Sequence, residues 1–430
     1  MKLVLLKNEE FKNWALENDE ISFHQTLEWA NLKKTNGWNH YFVGLKNNNK
    51  ILAGALLLEK QVPIIHKTFL YSPRGFLIDY HDKKLLKSFT DGIKEFAKEK
   101  KAIFVKIDPY VMYKERDKDG NIVENGIDNS DVVNNLKELG YKHFGFNLMQ
   151  DTLQPRWIYT ITMKDRTEED IQKDMDSKTR QILRKNERLG VKIREINEDE
   201  LPIFKDIMQH TGERRDFIDR PFSYYQNMWK NLHDSGILKI LLAEINFDEE
   251  IKKTKEEIKK LEEEMKVREE KFNDKSKPMN EKKYNQKQQK DKDEIKRLKQ
   301  NIEKTKELKK QYGKQPILGG ILFLVYGKEV LSLYGGSKKE LMSFQSAYNL
   351  HYAGIKYAID HGYERYNFYG ITGDFSPNNP LLGLYLFKKS FGGQVVELIG
   401  EFDLIISKPW YHIYNIAFGM YHKLKQIKNK

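Results

Sequence analysis

Apolar residues in the charged stretch from Asp248 to Gln311 recur with a period of seven. They are Ile251, Ile258, Met265 and Phe272 in the first half, and Ile295 and Ile302 in the second half. A heptad repeat of this kind is typical of helices that pack along a seam. The stretch therefore predicts an antiparallel helical hairpin, a coiled-coil arm with a turn at Ser276–Asn280. A disordered Lys/Glu linker is the alternative, and the period sustained on both arms argues against it.

Two apolar runs flank this stretch. Leu238–Phe247 precedes it and Pro316–Gly327 follows it. Both runs have the length and the β-branched or bulky apolar content of buried strands. We expect them to be neighbouring strands of one sheet, so that the hairpin is an insertion in a globular domain.

Strand-like and helix-like patterns alternate along the rest of the chain. Lys83–Lys100 has apolar residues three to four positions apart, and Ala102–Tyr110 reads as a buried strand. In the second half, Lys178–Gly190 reads as a basic helix that ends at a glycine, and Val395–Ile406 reads as one strand. Alternation of this kind over two halves predicts an α/β (α+β) protein with two related domains side by side. The predicted division is a first domain at 1–155, a second domain at 156–247 and 314–405, the arm at 248–313 and a basic C-terminal helix or tail at 406–430.

Composition narrows the class of partner. The formal net charge of the chain is +12. The arm carries +5 of this charge, because the stretch from Asp248 to Lys310 contains 22 Lys/Arg and 17 Asp/Glu. A basic surface favours RNA, phosphorylated substrates or anionic lipid, although a lysine-rich proteome would produce the same balance. The chain has no cysteine, which excludes disulfides and thiolate catalysis. No stretch has the pattern of a signal peptide or a membrane span, so we expect a cytoplasmic protein.

Motifs for cofactors and metals are missing from the sequence. There is no G-x-x-x-x-G-K-[ST], no G-x-G-x-x-G and no H-E-x-x-H. The glycines of Tyr334–Ser337 form no clear phosphate-binding turn before a helix, which disfavours an acyltransferase that uses coenzyme A. We expect neither a cofactor nor a metal.

Several polar residues at the ends of predicted elements are candidates for chemistry. Asp108 closes a buried strand and is a candidate general base, although Asp-Pro is also common in turns. Arg220 stands in a loop and suits a phosphate or carboxylate clamp, or it is a surface residue. Lys33 ends a helix, where its charge also favours the helix dipole. Lys388, which follows Phe387, could meet a developing oxyanion or a phosphate.

Two basic segments could meet an anionic surface. Arg180, Arg184 and Arg188 fall four residues apart and form one stripe, which costs a few tenths of a kcal/mol for each like-charge pair. An RNA or phospholipid partner would offset that repulsion. The tail, 408–430, is rich in lysine and aromatic residues and has no acidic residue. It could lie on a membrane surface or pack on the domain as a closing helix.

Eight segments in order along the chain resemble the Fem family of aminoacyltransferases, which build the interpeptide bridge of peptidoglycan. They are LEWANLKKTNGW (27–38), YSPRGFLIDY (71–80), FVKIDPY (104–110), QPRW (154–157), SKTRQILRKNERLGVKI (177–193), DRPFSYY (219–225), RYNFYGITGDF (365–375) and GLYLFKKSFGGQVVELIGEFDL (383–404). The resemblance covers almost the whole chain. It implies two tandem acetyltransferase-like domains, with a coiled-coil arm in the second.

The resemblance also implies roles for residues. Lys33 and Arg220 match the Lys and Arg that grip the diphosphate of the precursor in relatives. Phe387 and Lys388 match a Phe-Lys pair near the tRNA end and the tetrahedral intermediate. Asp108 matches a carboxylate whose role as the base is open. The residues at pocket-lining positions are Tyr224 and Tyr334.

The reaction that the resemblance implies moves an amino acid (glycine, serine or alanine) from aminoacyl-tRNA to the stem-peptide amine of lipid II or UDP-MurNAc-pentapeptide. The partners implied are aminoacyl-tRNA and that precursor. Two further contacts are left open, namely peripheral contact with the inner membrane face and a homo- or heterodimer with related transferases. A non-catalytic RNA- or membrane-binding adaptor with a coiled-coil arm is the alternative, and it predicts salt-sensitive RNA binding without a transfer product.

Overall fold

The computed structural model describes residues 1–18, 21–63, 65–148, 153–274 and 280–428, with the side chains of 421–428 left out. The predicted turn at Ser276–Asn280 lies outside the described residues except for Asn280.

The first half alternates strands and helices in the order β1 (Lys2–Leu5), α1 (Asn8–Ala15), α2 (Leu27–Lys34), β2 (Asn39–Asn47), β3 (Lys50–Val62), β4 (Lys67–Ser72), α3 (Lys83–Glu99), β5 (Ala102–Ile107), β6 (Met112–Glu115), α4 (Ser130–Glu138) and β7 (Tyr141–His143). The second half continues with β8 (Trp157–Thr162), α5 (Glu168–Asp174), α6 (Ser177–Leu189), β9 (Lys192–Glu195), α7 (Leu201–Arg215), α8 (Phe222–Leu232), β10 (Leu238–Glu244), α9 (Phe247–Asn273), α10 (Glu281–Tyr312), β11 (Ile317–Tyr326), β12 (Glu329–Ser337), α11 (Ser346–Asp360), β13 (Arg365–Gly370), α12 (Leu382–Lys389), β14 (Gln394–Leu398), β15 (Phe402–Ile405) and α13 (Lys408–Lys428).

The strands form two mixed sheets. One has the order β1-β2-β3-β4-β5-β15-β7, and the other has the order β6-β14-β8-β13-β12-β11-β10-β9. In each sheet one parallel pair, β4 with β5 and β12 with β13, stands among antiparallel neighbours. The α/β class with two side-by-side sheets is therefore confirmed.

The two sheets exchange strands, which the sequence did not predict. β15 comes from the second half but pairs with β5 and β7 of the first sheet, and β6 pairs with β14 of the second. The single strand predicted over Val395–Ile406 is therefore wrong. Gly400, with a φ of +93°, lies between β14 and β15, where the chain crosses from one sheet to the other. A continuous apolar run does not reveal this crossing because both strands are buried.

Helix positions follow the apolar spacing closely. α3 begins after Asp82, whose carboxylate accepts the N–H groups of Lys84 and Leu85, and it buries its apolar stripe against the first sheet. α6 ends at Gly190, whose φ of +84° is left-handed, as the glycine in that position predicts. Both helices are confirmed.

The charged stretch forms two long helices, α9 and α10, that pack antiparallel. The ring of Phe272 stacks on that of Tyr284 at 4.0 Å, and Arg268 pairs with Asp291 at 2.8 Å. At the other end Lys309 pairs with Asp248. The heptad positions supply the buried seam, which contains Ile251, Ile258, Leu261, Met265, Ile295, Leu298 and Ile302. β10 and β11, which flank the arm, are paired in the second sheet, as predicted.

A shared apolar core joins the two halves. α2 packs against α8, and Trp29 and Leu32 belong to the same buried cluster as Tyr225 and Trp229. Helices from both halves thus meet face to face, and residues at their ends are brought within reach of one another.

The C-terminal helix α13 begins against the first sheet. Tyr411 packs with Ile103 and Phe104, and its hydroxyl donates to Asp403 at 2.8 Å. Beyond this turn four large apolar side chains are about half exposed: Ile413, Ile416, Phe418 and Met420. The closing-helix reading of the tail therefore holds for its first turns.

Candidate active site

Two cations stand together where α2 meets α8. Lys33 lies in the last turn of α2 with its ammonium 4.2 Å from the centre of the Trp29 ring, and Arg220 lies two residues before the start of α8. Burial, together with the positive charge of Arg220, lowers the pKa of Lys33 to about 8. Neither cation forms an ion pair with a carboxylate in the described parts of the chain. Two neighbouring cations without a carboxylate are suited to bind an anion such as a diphosphate.

Aromatic residues line this cation pair. The guanidinium carbon of Arg220 is 5.6 Å from the centre of the Tyr224 ring, and Tyr334 hydrogen-bonds to both residues. Burial acts to lower the pKa of Arg220, but Tyr334 beside it raises that pKa overall. The structure thus brings together Lys33, Arg220, Tyr224 and Tyr334, which are far apart in sequence.

Asp108 lies at the end of β5 and is only 3% exposed. Its carboxylate accepts hydrogen bonds from the Tyr71 hydroxyl at 3.1 Å and from the backbone N–H of Arg74 at 2.8 Å. Burial raises the pKa of Asp108 to about 7, although the charge of Arg74 acts in the opposite direction. A carboxylate with this pKa can accept a proton from an amine at neutral pH.

Tyr369 packs against the same apolar cluster as Tyr224, Tyr334 and Tyr71. Its hydroxyl donates to the Gln154 side chain, and the hydroxyl of Tyr71 donates to Asp108. Tyr369 comes from β13 of the second sheet, whereas Asp108 comes from the first. The site is therefore built across the boundary between the sheets.

Tyr369 and Arg74 are the two residues near the site that the sequence did not single out. Arg74 is 4% exposed, has a φ of +55°, donates to the Pro155 carbonyl at 2.8 Å and covers the Tyr110 ring at 5.5 Å. Its guanidinium thus contacts the segment that links the two halves. The Pro-Arg-Gly run in 73–75 signals a tight turn after a strand, and that signal could have directed attention to it.

Lys388 is buried against the backbone of β13. It lies in the last turn of α12, is 6% exposed, and donates to the carbonyls of Phe368 at 2.6 Å and Gly370 at 2.7 Å. Burial lowers its pKa to about 7. The two carbonyls take two of the three N–H groups of a charged lysine, so the role of Lys388 as the oxyanion donor stays a prediction. Phe387 packs on Tyr348, with ring centres 4.9 Å apart.

The predicted arginine stripe is largely engaged within the protein. Arg180 donates to the carbonyls of Gln172, Lys173 and Met175 and so caps the end of α5. Arg188 pairs with Glu257 of the arm at 2.6 Å. Arg184 is exposed. The like-charge repulsion that suggested an anionic partner is therefore relieved internally at two of the three positions.

The described helices include none that is long and apolar enough to cross a membrane. Over the same residues, no group of three or more His, Asp or Glu side chains is arranged to hold a metal ion.

Comparison with known proteins agrees with this architecture. A crystal structure of FemX superposes with a TM-score of 0.77 at 29% identity, covering 96% of this chain and 99% of that one. The aminoacyltransferase FemA of Staphylococcus epidermidis is 34% identical over 416 residues, 96% of this chain and 98% of its own length. The aminoacyltransferase FemA of Staphylococcus aureus strain N315 is 32% identical over 432 residues, all of both proteins.

The two-sheet fold and these relatives together define an acyltransferase in which two cations meet where helices of its two halves pack. The model of the FemAB family matches residues 6–418. The chain belongs to the FemAB family and is an aminoacyltransferase.

Proposed function

We propose that this enzyme transfers glycine, serine or alanine from aminoacyl-tRNA to the stem-peptide amine of lipid II or UDP-MurNAc-pentapeptide. Membership of the FemAB family supports a role in building the interpeptide bridge of peptidoglycan. The observation that carries the acceptor assignment is the pair of cations, Lys33 and Arg220. Aromatic rings line the pair, and it has no carboxylate partner among the residues that the structure describes. A lipid- or nucleotide-linked precursor presents a diphosphate that such a pair would hold.

The chemistry requires little beyond positioning and one proton acceptor. The aminoacyl ester is already activated, so no nucleotide is hydrolysed. A lysine ε-amine has a pKa of about 10.4 and must lose a proton to attack. Its nitrogen bonds to the ester carbonyl carbon and forms a tetrahedral intermediate. The bond from that carbon to the ribose oxygen of the tRNA then breaks, and the oxygen leaves as a hydroxyl with the second proton that the nitrogen loses as the amide forms. Asp108, buried and with a pKa raised to about 7, is the proposed acceptor of the amine proton.

A transfer assay tests this proposal. Purified protein is mixed with tRNA charged with radiolabelled glycine, serine or alanine, and with lipid II or UDP-MurNAc-pentapeptide. We expect a labelled precursor with one of these donors, and a loss of about 10–100-fold with Arg220→Ala because the diphosphate is no longer held. Lys230→Ala, an exposed lysine on the far end of α8, is the matched control and should transfer normally. RNA binding that weakens with salt, without product from any donor, would support the adaptor instead.

A second proposal concerns location. We propose that the protein works in the cytoplasm and touches the inner membrane face through α13. Four half-exposed apolar side chains, Ile413, Ile416, Phe418 and Met420, follow its packed first turn, and the segment 408–430 contains no acidic residue. Such a helix favours an anionic lipid interface.

Vesicle flotation tests this contact. Binding to vesicles that contain phosphatidylglycerol should exceed binding to neutral vesicles and should fall with Phe418→Ser, whereas Phe217→Ser, at another exposed aromatic, should not change it. Equal flotation of all variants would rule out this role for α13.

A further inference from the structure

The backbone of β13 leaves regular strand geometry at Tyr369. This residue has a φ of +64°, and the register with β8 shifts between Asn367 and Gly370. A left-handed φ is costly for a residue with a large side chain, and it persists only where surrounding groups hold it. The strand therefore contains a bulge whose cause must lie in the neighbouring contacts.

Side chains satisfy the backbone groups at this bulge. The N–H of Tyr369 donates to the Asn367 side chain at 2.7 Å. The carbonyls on either side, those of Phe368 and Gly370, both accept from the Lys388 nitrogen. Both residues are buried at the point where the register shifts, and a buried carbonyl needs a hydrogen-bond donor. Lys388 thus bridges the two residues that flank Tyr369.

The chemistry of Lys388 suits this structural bond. Its nitrogen has two carbonyl acceptors and, within the described residues, forms no ion pair. The two acceptors satisfy both N–H groups of the uncharged amine and two of the three N–H groups of the ammonium. The only cause that shifts its pKa to about 7 is burial.

Tyr369 packs against the same apolar cluster as Tyr224 and Tyr334. That cluster also contains Tyr71, whose hydroxyl donates to Asp108, and the Tyr369 hydroxyl donates to Gln154. A substrate that spans from the cation pair to Asp108 would lie along this cluster, beside the Tyr369 ring.

We propose that Lys388 is a positioning residue that holds the β13 bulge, and that Tyr369, carried by the bulge, orients the acceptor amine between the cation pair and Asp108. The proposal rests on the proposed aminoacyl transfer. It replaces a direct contact of Lys388 with the reacting carbonyl by an action through a second residue.

A double-mutant cycle separates the two roles. Lys388→Met and Tyr369→Phe should each lower kcat by about 10–100-fold, because a small misplacement is enough for such a loss. Their combination should lose no more than the larger single loss, since both act through one group. The Kd for UDP-MurNAc-pentapeptide should stay within about twofold in both. Losses in kcat that multiply would mean that Lys388 acts directly on the intermediate, and would overturn the proposal.

A measurement without activity keeps the proposal testable if no transfer is found. Amide hydrogen exchange at Tyr369 should be at least about tenfold faster in Lys388→Met than in the wild type. The control Lys389→Met removes the neighbouring lysine, which pairs with Asp119 at the surface, and should leave the exchange unchanged. Unchanged exchange in Lys388→Met would overturn the positioning role, whereas absence of transfer by the wild type would refute the proposed function alone.

A second variant guards against misfolding. Lys388→Gln keeps two N–H donors on a shorter side chain, so its exchange and its kcat should lie between those of the wild type and Lys388→Met. Wild-type exchange combined with complete loss of transfer in Lys388→Gln would again favour a direct role and overturn the proposal.

Discussion

Affinity for the precursor should fall as the pH rises through about 8, because Lys33 loses its proton there. Burial and the nearby charge of Arg220 lower the pKa of Lys33 to about 8 in the free protein. A bound diphosphate is negative and favours the charged ammonium, so the pKa rises in the complex. Above pH 8, binding of the precursor therefore takes up a proton. The affinity for the precursor falls with each further pH unit until the pH reaches the pKa of Lys33 in the complex.

The magnitude follows from the fraction of Lys33 that is charged. At pH 7 about nine in ten molecules carry the ammonium, and at pH 9 about one in eleven does. Affinity should fall by about tenfold over this interval, which corresponds to about 1.4 kcal/mol. Arg220 stays protonated throughout and contributes no such dependence.

Isothermal titration calorimetry with UDP-MurNAc-pentapeptide between pH 7 and 9.5 measures this fall. Repeating the titration in buffers of different ionisation enthalpy counts the proton taken up. Lys33→Arg keeps its charge and should show a flat profile, and Lys34→Met, at the exposed neighbour, should follow the wild type. A flat profile in the wild type would refute the assignment of Lys33 to the diphosphate.

Three further predictions concern the base, the arm and its seam. The rate of transfer should rise with pH through about 7 as Asp108 loses its proton. Asp108→Asn should abolish that rise and lower kcat by about 10²–10⁴-fold, while the Kd for the precursor stays constant. A rise that persists in Asp108→Asn would exclude Asp108 as the base. Replacing 249–311 by a short glycine linker should raise the KM for aminoacyl-tRNA. Binding of the precursor should stay intact, because β10 and β11, which flank the deleted segment, remain paired. If use of aminoacyl-tRNA and binding of the precursor weaken equally, the arm is only structural. Leu298→Ala, in the buried seam, should destabilise the arm by about 2–4 kcal/mol. Hydrogen exchange should become faster in α9 and α10 and stay unchanged in the sheets. The control Lys299→Ala, at an exposed position, should leave exchange unchanged in the arm and in the sheets.

Local patterns predicted the elements well. The heptads marked the two helices of the arm, the apolar spacing marked α3, and Gly190 marked the end of α6. These features depend on residues a few positions apart, which the sequence displays directly. The resemblance of short motifs also selected Lys33, Arg220, Tyr224 and Tyr334, which the structure brings together.

Burial of polar groups was harder to predict. The sequence suggests an oxyanion or a phosphate as the partner of Lys388 and an anionic surface as the partner of Arg180 and Arg188. In the structure Lys388 bridges two buried carbonyls, Arg180 caps a helix, and Arg188 pairs with the arm. Their partners lie in the tertiary structure or depend on how a neighbouring helix ends. Charge alone does not distinguish a cation that waits for a ligand from one that the fold already uses.

The sequence by itself determined the class of fold, the inserted arm and the membership that its motifs imply, because periodicity and short motifs are local. Only the tertiary structure decided that β15 leaves its own half for the first sheet and that α2 and α8 set Lys33 beside Arg220. It also decided that Tyr369 packs on the same cluster as Tyr71, which donates to Asp108. Strand partners and site geometry depend on contacts between residues hundreds of positions apart, and these contacts form only when both halves bury one shared core.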